Sequence, residues 1–263
     1  ITIADNVTGV GIGTNAPNGG ISNSFLINAG DAPGSVGIHV GDGASANIIE
    51  NIISGGADSV LIELESDGSL IDGNSFAGAD VAISSTVPGD YNEQTLADDN
   101  TYEPGWVIVS GNDKVFTSIQ AAIDDVGTLP GATITVGAGT YAENILVNKD
   151  VTIVGVGEVN IVGTFRADHD IPDGVSTDTF FATAAGWDGT NAGAGVTIDA
   201  SGVTLENLNI SGFDKGIAFT GTAALTDIDL NGIDISDSRL GIHKATTQAV
   251  SDLDIVGGSI PGN

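Results

Sequence analysis

The sequence predicts an all-β chain wound into a parallel β-helix, a solenoid with turns of about 22–25 residues. Three observations carry that reading. Residues 224–260 fall on themselves when shifted by 25 places: Ala224 meets Ala249, Asp227 meets Asp252, Leu230 meets Ile255 and Ile235 meets Ile260. Within each copy, apolar and polar residues alternate in short bursts, which is the period of a strand. The bursts are punctuated by glycine and by Asp, Asn and Ser clusters, which mark turns; the chain has 39 glycines.

Taken from the amino terminus, residues 1–86 read as one β-helical segment with a looser period. Ile48, Asn51, Ile53 and Gly55 precede Ile71, Asn74, Phe76 and Gly78 by 23 residues. Residues 87–114 hold no stacking register and are expected to be a linker. Residues 115–263 form the second segment. It opens with a short α-helix near 118–126, where Ile119, Ala122, Ile123 and Val126 make one apolar face. Thr117 and Gln120 have capping-box spacing. This helix is expected to plug the open end of the β-helix that begins near Ala132. A long loop follows at 163–195. From Val203 onward three turns share one template: Val203, Leu205, Ile210 and Ile217 lie 25 residues before Ile228, Leu230, Ile235 and Ile242. Gly216 and Gly241 are expected at the bends between faces.

Three stretches, "FTSIQAAIDDV", "ITVGAGTYAENILVNKDVTIVGVG" and "GVTIDASGVTLENLNISGFDKGI", resemble the pectin-lyase-like superfamily of right-handed parallel β-helices. The resemblance runs from Val115 to Ile217 and is nearest to the N-terminal region of pectin methylesterase-like proteins. It implies a right-handed solenoid. It implies little about activity, because that opening occurs in esterases, lyases, epimerases and non-catalytic surface proteins. The esterases' aspartate pair, arginine and glutamines imply "QDT"-like and "DFIFG"-like segments, which this chain lacks.

Six Lys+Arg against 35 Asp+Glu give a formal charge of −29. Such a chain repels nucleic acid phosphates and anionic membrane surfaces. No apolar run of about 18 residues is present to insert in a bilayer. The acidity suits a salt-rich or calcium-rich exterior, where cations screen self-repulsion. The chain has no cysteine, so no disulfide holds it. It also has no methionine, which suggests a processed chain or a piece of a longer one.

Few residues suggest chemistry. Arg166, Asp168, His169 and Asp170 gather a cation, an imidazole and two carboxylates within five residues. They are candidates for acid–base work or metal binding, against a polar loop whose arginine pairs with its neighbours. His39 and His243 read as turn or surface residues. Asp227 should stack on Asp252 and Asp229 on Asp254, placing like charges on one face. These four are candidate Ca2+ ligands, against simple screening by salt. Asn6 and Asn209 begin N-glycosylation triplets.

The expectation is a structural segment of a long acidic extracellular or cell-surface protein of bacterial or archaeal type: a stalk, matrix fibre or adhesin shaft, rather than an enzyme. Its expected partners are copies of itself end to end or neighbouring tandem units, since both ends read as open β-helical turns. Two alternatives stay open: a pectin esterase- or lyase-type enzyme acting on acidic polysaccharide, and a carbohydrate-binding β-helix. The binder needs exposed aromatics, and the two tryptophans, Trp106 and Trp187, lie in irregular segments.

Overall fold

The computed structural model describes residues 2–3, 8–12, 19–26, 34–87, 89, 91–163, 193–221, 223–244 and 249–261. It is a parallel β-solenoid in two compact units. The first comprises Ile1–Thr128 with Ile134–Gly139, and the second Leu129–Thr133 with Thr140–Asn263.

In the first unit each coil lends one strand to each of three parallel sheets. One sheet stacks Thr8–Ile12, Val36–Val40, Val60–Leu64 and Val81–Ser85, with Val10, Ile38, Ile62 and Ile83 in one ladder. The second stacks Gly19–Ser22, Ala46–Ile49 and Leu70–Asp72, with Ile21, Ile48 and Ile71 in register. The third places Leu26, Ile53, Phe76 and Tyr102 above one another. Because β side chains alternate between faces, these aliphatics all enter one column between the sheets. Ile38, Ile48, Ile53, Ile62 and Phe76 are completely buried. Each such side chain stabilises the fold by about 1.5–3 kcal/mol. Phe76 and Tyr102 also stack, ring centroids 5.1 Å apart.

The corner before the third sheet carries an asparagine ladder. Asn51 and Asn74 are each 1% exposed. Asn51 donates its backbone and side-chain N–H groups to Asn74 Oδ1, at 3.0 and 2.9 Å. Asn74 repeats both bonds to Asn100 Oδ1, at 2.9 and 3.0 Å. A bend breaks the sheet hydrogen bonds, and buried backbone groups there need partners. The stacked amides supply them from the coil above.

Residues 87–114, expected as a linker, contain helix α1 (Glu93–Asp99) and the strands Thr101–Glu103 and Val107–Val109. Asn92 caps α1 by accepting the Thr95 N–H at 2.9 Å, and Leu96 and Ala97 are buried. Thr101–Glu103 continues the third sheet, so the register persists around an inserted helix. Beyond it the pairing turns antiparallel. Lys114–Phe116 runs against Val81–Ser85, and Val107–Val109 pairs with Lys114–Phe116 and with Ile134–Val136.

The second helix, α2 (Ile119–Asp124), is shorter than its apolar pattern predicts. Ile119, Ala122 and Ile123 are fully buried, but Val126 is 90% exposed. Asp125 ends the helix with ψ 139°. Its carboxylate accepts from Lys114 Nζ at 2.5 Å, Asn112 Nδ2 at 3.0 Å and the Gly127 N–H at 2.8 Å. The cap also differs from expectation. Ser118 Oγ accepts the Ala121 N–H at 3.1 Å, while the Thr117 hydroxyl donates to the Ala79 carbonyl. The helix belongs to the first unit and packs there on Val107–Val109 and Lys114–Phe116.

The second unit follows the 25-residue template closely. Val203, Leu205, Ile210 and Ile217 stand in register with Ile228, Leu230, Ile235 and Ile242. Ile228 and Leu230 continue to Leu253 and Ile255. The bends are not at Gly216 and Gly241, as expected; both lie inside the strands Lys215–Phe219 and Leu240–Lys244. The corners are stacked left-handed residues instead: Asn207, Gly232 and Gly257, with φ of 55°, 61° and 67°. Asparagine and glycine tolerate that region best. Gly216 is glycine for another reason, since a Cβ there would overlap the Ile235 side chain packed beneath it. No helix among the described residues is long and apolar enough to cross a membrane.

Candidate functional site

Three polar groupings stand out from the aliphatic ladders. The first is the aspartate column predicted from the register. Asp229 and Asp254 are Cα partners on neighbouring strands, with Thr204 in the position before them. Asp229 is half-buried and Asp254 exposed, both on the outward face. Asp227 and Asp252 do not continue that strand face. Both adopt left-handed backbone, φ 55° and 51°, at an exposed corner. The four candidate ligands therefore divide into two strand carboxylates and two turn carboxylates. Arg166, Asp168, His169 and Asp170 lie outside the described residues, as does Trp187.

The second grouping is buried charge. Asp214 is 5% exposed and receives Arg239 Nε at 2.5 Å and Lys215 Nζ at 2.8 Å. Arg239 comes from the next coil. Burial pushes the Asp214 carboxyl up, but the hydrogen bonds from Arg239 and Lys215 outweigh it and hold the group below its ordinary value of 3.8. The buried carboxylate thus holds one cation from its own coil and one from the next, and so ties the two coils together. Asp125 is held low in the same way: burial raises it, and Lys114, Gly127 and Asn112 together lower it further.

The third grouping was not legible in the sequence. His39 sits within the strand Val36–Val40, not in a turn, and stacks directly on Glu63. Its Nε2 lies 3.7 Å from Glu63 Oε2 and 3.3 Å from Glu65 Oε1. The other Glu65 oxygen accepts the Asp42 N–H at 3.2 Å. An open groove beside it is lined by Asp42, Ser45, Glu65, Ser66 and Asp67. Among the described residues, this is the group of three His, Asp or Glu side chains close enough to share one metal ion. His243 also lies in a strand, stacked on Ala218.

Trp106 is not displayed for sugar stacking. It packs against the first unit's core, and its ring fills the space where a Cβ of Gly137 would stand. Asn209 donates from its side chain to Asn160 Oδ1 at 3.2 Å in an outward ladder that continues to Asp234.

No family model matches the chain, and no solved structure matches it. A stretch of 48 residues, 18% of the chain, is 54% identical to a cell surface glycoprotein of Methanothermus fervidus. That stretch spans 8% of the glycoprotein. The chain is thus a parallel β-solenoid that shares a short, strongly similar segment with a cell surface protein.

Proposed function

We propose that the chain is a structural segment of a long, acidic cell-surface protein, with the pectin-lyase-like type of winding and no catalytic role. Its place is outside the cell, in keeping with the likeness to a cell surface glycoprotein and the formal charge of −29. The observation that carries the structural reading is the core ladder of the second unit. Val203, Leu205, Ile228 and Leu230 stack coil on coil in register and are all 0–1% exposed. Units built on one repeated template are suited to stack with neighbouring tandem units or with further copies of the chain. Stacked this way, such units make a shaft or matrix fibre.

Two measurements test this. Immunogold labelling of intact cells with antibody against this chain should decorate the surface; label confined to the interior would refute the location. Negative-stain microscopy of the native protein released from the surface should show rods or fibres that antibody against this chain decorates. Compact globular particles carrying that label would refute the shaft.

A further inference from the structure

We propose that His39, Glu63 and Glu65 form a three-ligand site for a divalent transition-metal ion of the zinc class, bridging two successive coils of the first unit. The spacing supports coordination over an ion pair. A charge-assisted N–H···O bond closes to about 2.7–2.9 Å. The two approaches of His39 Nε2 are 3.3 and 3.7 Å, too long for such a bond. Zinc binds nitrogen and carboxylate oxygen at about 2.0–2.2 Å, so the edge of its ligand tetrahedron is roughly 3.3–3.5 Å. All three ligand atoms lie within 4.8 Å of one another. Small rotations of the two glutamates bring them to that edge length.

The surroundings are arranged for it. The Asp42 N–H holds one oxygen of Glu65 and leaves the other facing His39, the outer-shell support that orients a monodentate ligand. Gly11 precedes His39 in the ladder, and a Cβ there would meet nothing within 4 Å, so the imidazole is uncrowded on that side. The side chains of His39, Glu63 and Glu65 are 33%, 31% and 40% exposed, and the groove beside Glu65 provides an entry path. Three protein ligands leave one tetrahedral position for water or an outside donor. An imidazole among two carboxylates selects zinc, nickel or cobalt over calcium, which takes oxygen ligands. The ion would neutralise the two glutamates and pin the strand Val36–Val40 to Val60–Leu64. It is distinct from the aspartate column of the second unit.

The test is a zinc titration of the chelator-treated chain by calorimetry, with cobalt absorption as a second readout. Saturable binding should weaken about tenfold or more in His39→Ala and in Glu65→Gln. Cobalt should give visible ligand-field bands that both variants lose. Zinc should raise the thermal midpoint of the parent and leave that of His39→Ala unmoved. Acid should release the ion, because imidazole binds metal only when neutral. Circular dichroism establishes that each variant is folded. Undiminished zinc affinity in folded His39→Ala would overturn the assignment, as would calcium binding at this site as tightly as zinc.

Discussion

Replacing Asn74 by alanine tests the asparagine ladder directly. Asn74 Oδ1 accepts from the Asn51 N–H at 3.0 Å and from Asn51 Nδ2 at 2.9 Å. Its own Nδ2 donates to the Ile48 carbonyl at 2.8 Å and to Asn100 Oδ1 at 3.0 Å. Asn51 Nδ2 keeps a second partner, the Ile21 carbonyl, at 2.9 Å. Asn100 Oδ1 still accepts the backbone N–H of residue 74. The group left short is the Asn51 N–H, since the Ile48 carbonyl stays within the parallel pairing of Ala46–Ile49 with Leu70–Asp72; Asn74 itself is 1% exposed, so water is excluded. At about 1–3 kcal/mol for a buried group left unsatisfied, the substitution costs about 1–3 kcal/mol. That is a large share of the roughly 5–15 kcal/mol by which a domain is stable. Urea unfolding followed by circular dichroism and by the fluorescence of Trp106 should show it. With a slope of about 2 kcal/mol/M, the midpoint falls by on the order of 0.5–1.5 M. Asn231→Ala is the control: its side chain reaches only Glu206 Oε1, at 3.5 Å, on a half-buried outer face, so its effect should stay within ~0.5 kcal/mol. If Asn74→Ala also stayed within that margin, the ladder would be ornament and the corner would be held by aliphatic packing alone.

Other substitutions separate packing, backbone and charge. Gly78 has φ 83°, and a Cβ there would overlap the Gly55 carbonyl oxygen one coil away; Gly78→Ala should destabilise by about 2 kcal/mol or more in thermal melts, whereas Gly11→Ala should be nearly silent. Ile123→Asp buries a charge beneath α2 and should unfold or aggregate the chain, while Val126→Asp, at an exposed site, should leave solubility and midpoint unchanged. The low Asp214 pKa stabilises the fold in full above the ordinary value of 3.8, and that stability drains as pH falls through the lower folded value. Acid titration by circular dichroism should therefore show a loss below about pH 4 that is missing in Asp214→Asn, a variant already less stable at neutral pH. The thermal midpoint should rise from dilute buffer to high salt, because a charge of −29 repels itself; a further rise with calcium at matched ionic strength, lost in Asp229→Asn, would mark specific ligation by the aspartate column.

Much of the architecture was written in the sequence because a solenoid turns long-range contacts into a period. Leu205, Leu230 and Ile255 stack on one another and are spaced evenly along the sequence, so the column they form can be read without coordinates. The same holds for Asn51 and Asn74, and for the buried face of α2. The reading failed where a coil changes length. Asn100 and Tyr102 extend the ladders of Asn74 and Phe76, but α1 shifts their spacing and hides them in an apparent linker. It also failed where two glycines look alike. Gly216 makes room for a neighbour's side chain and Gly232 supplies a left-handed corner, and only the packed coils distinguish those needs. The convergence of His39, Glu63 and Glu65, and the pairing of Asp214 with Arg239, are likewise products of stacking. Composition and period by themselves determined that aliphatics stack inward and acids outward, since burial and alternation act on every coil alike. Which polar side chains meet was decided only by the tertiary structure, because that depends on how far each corner advances the next strand, a distance set by backbone conformation at single residues.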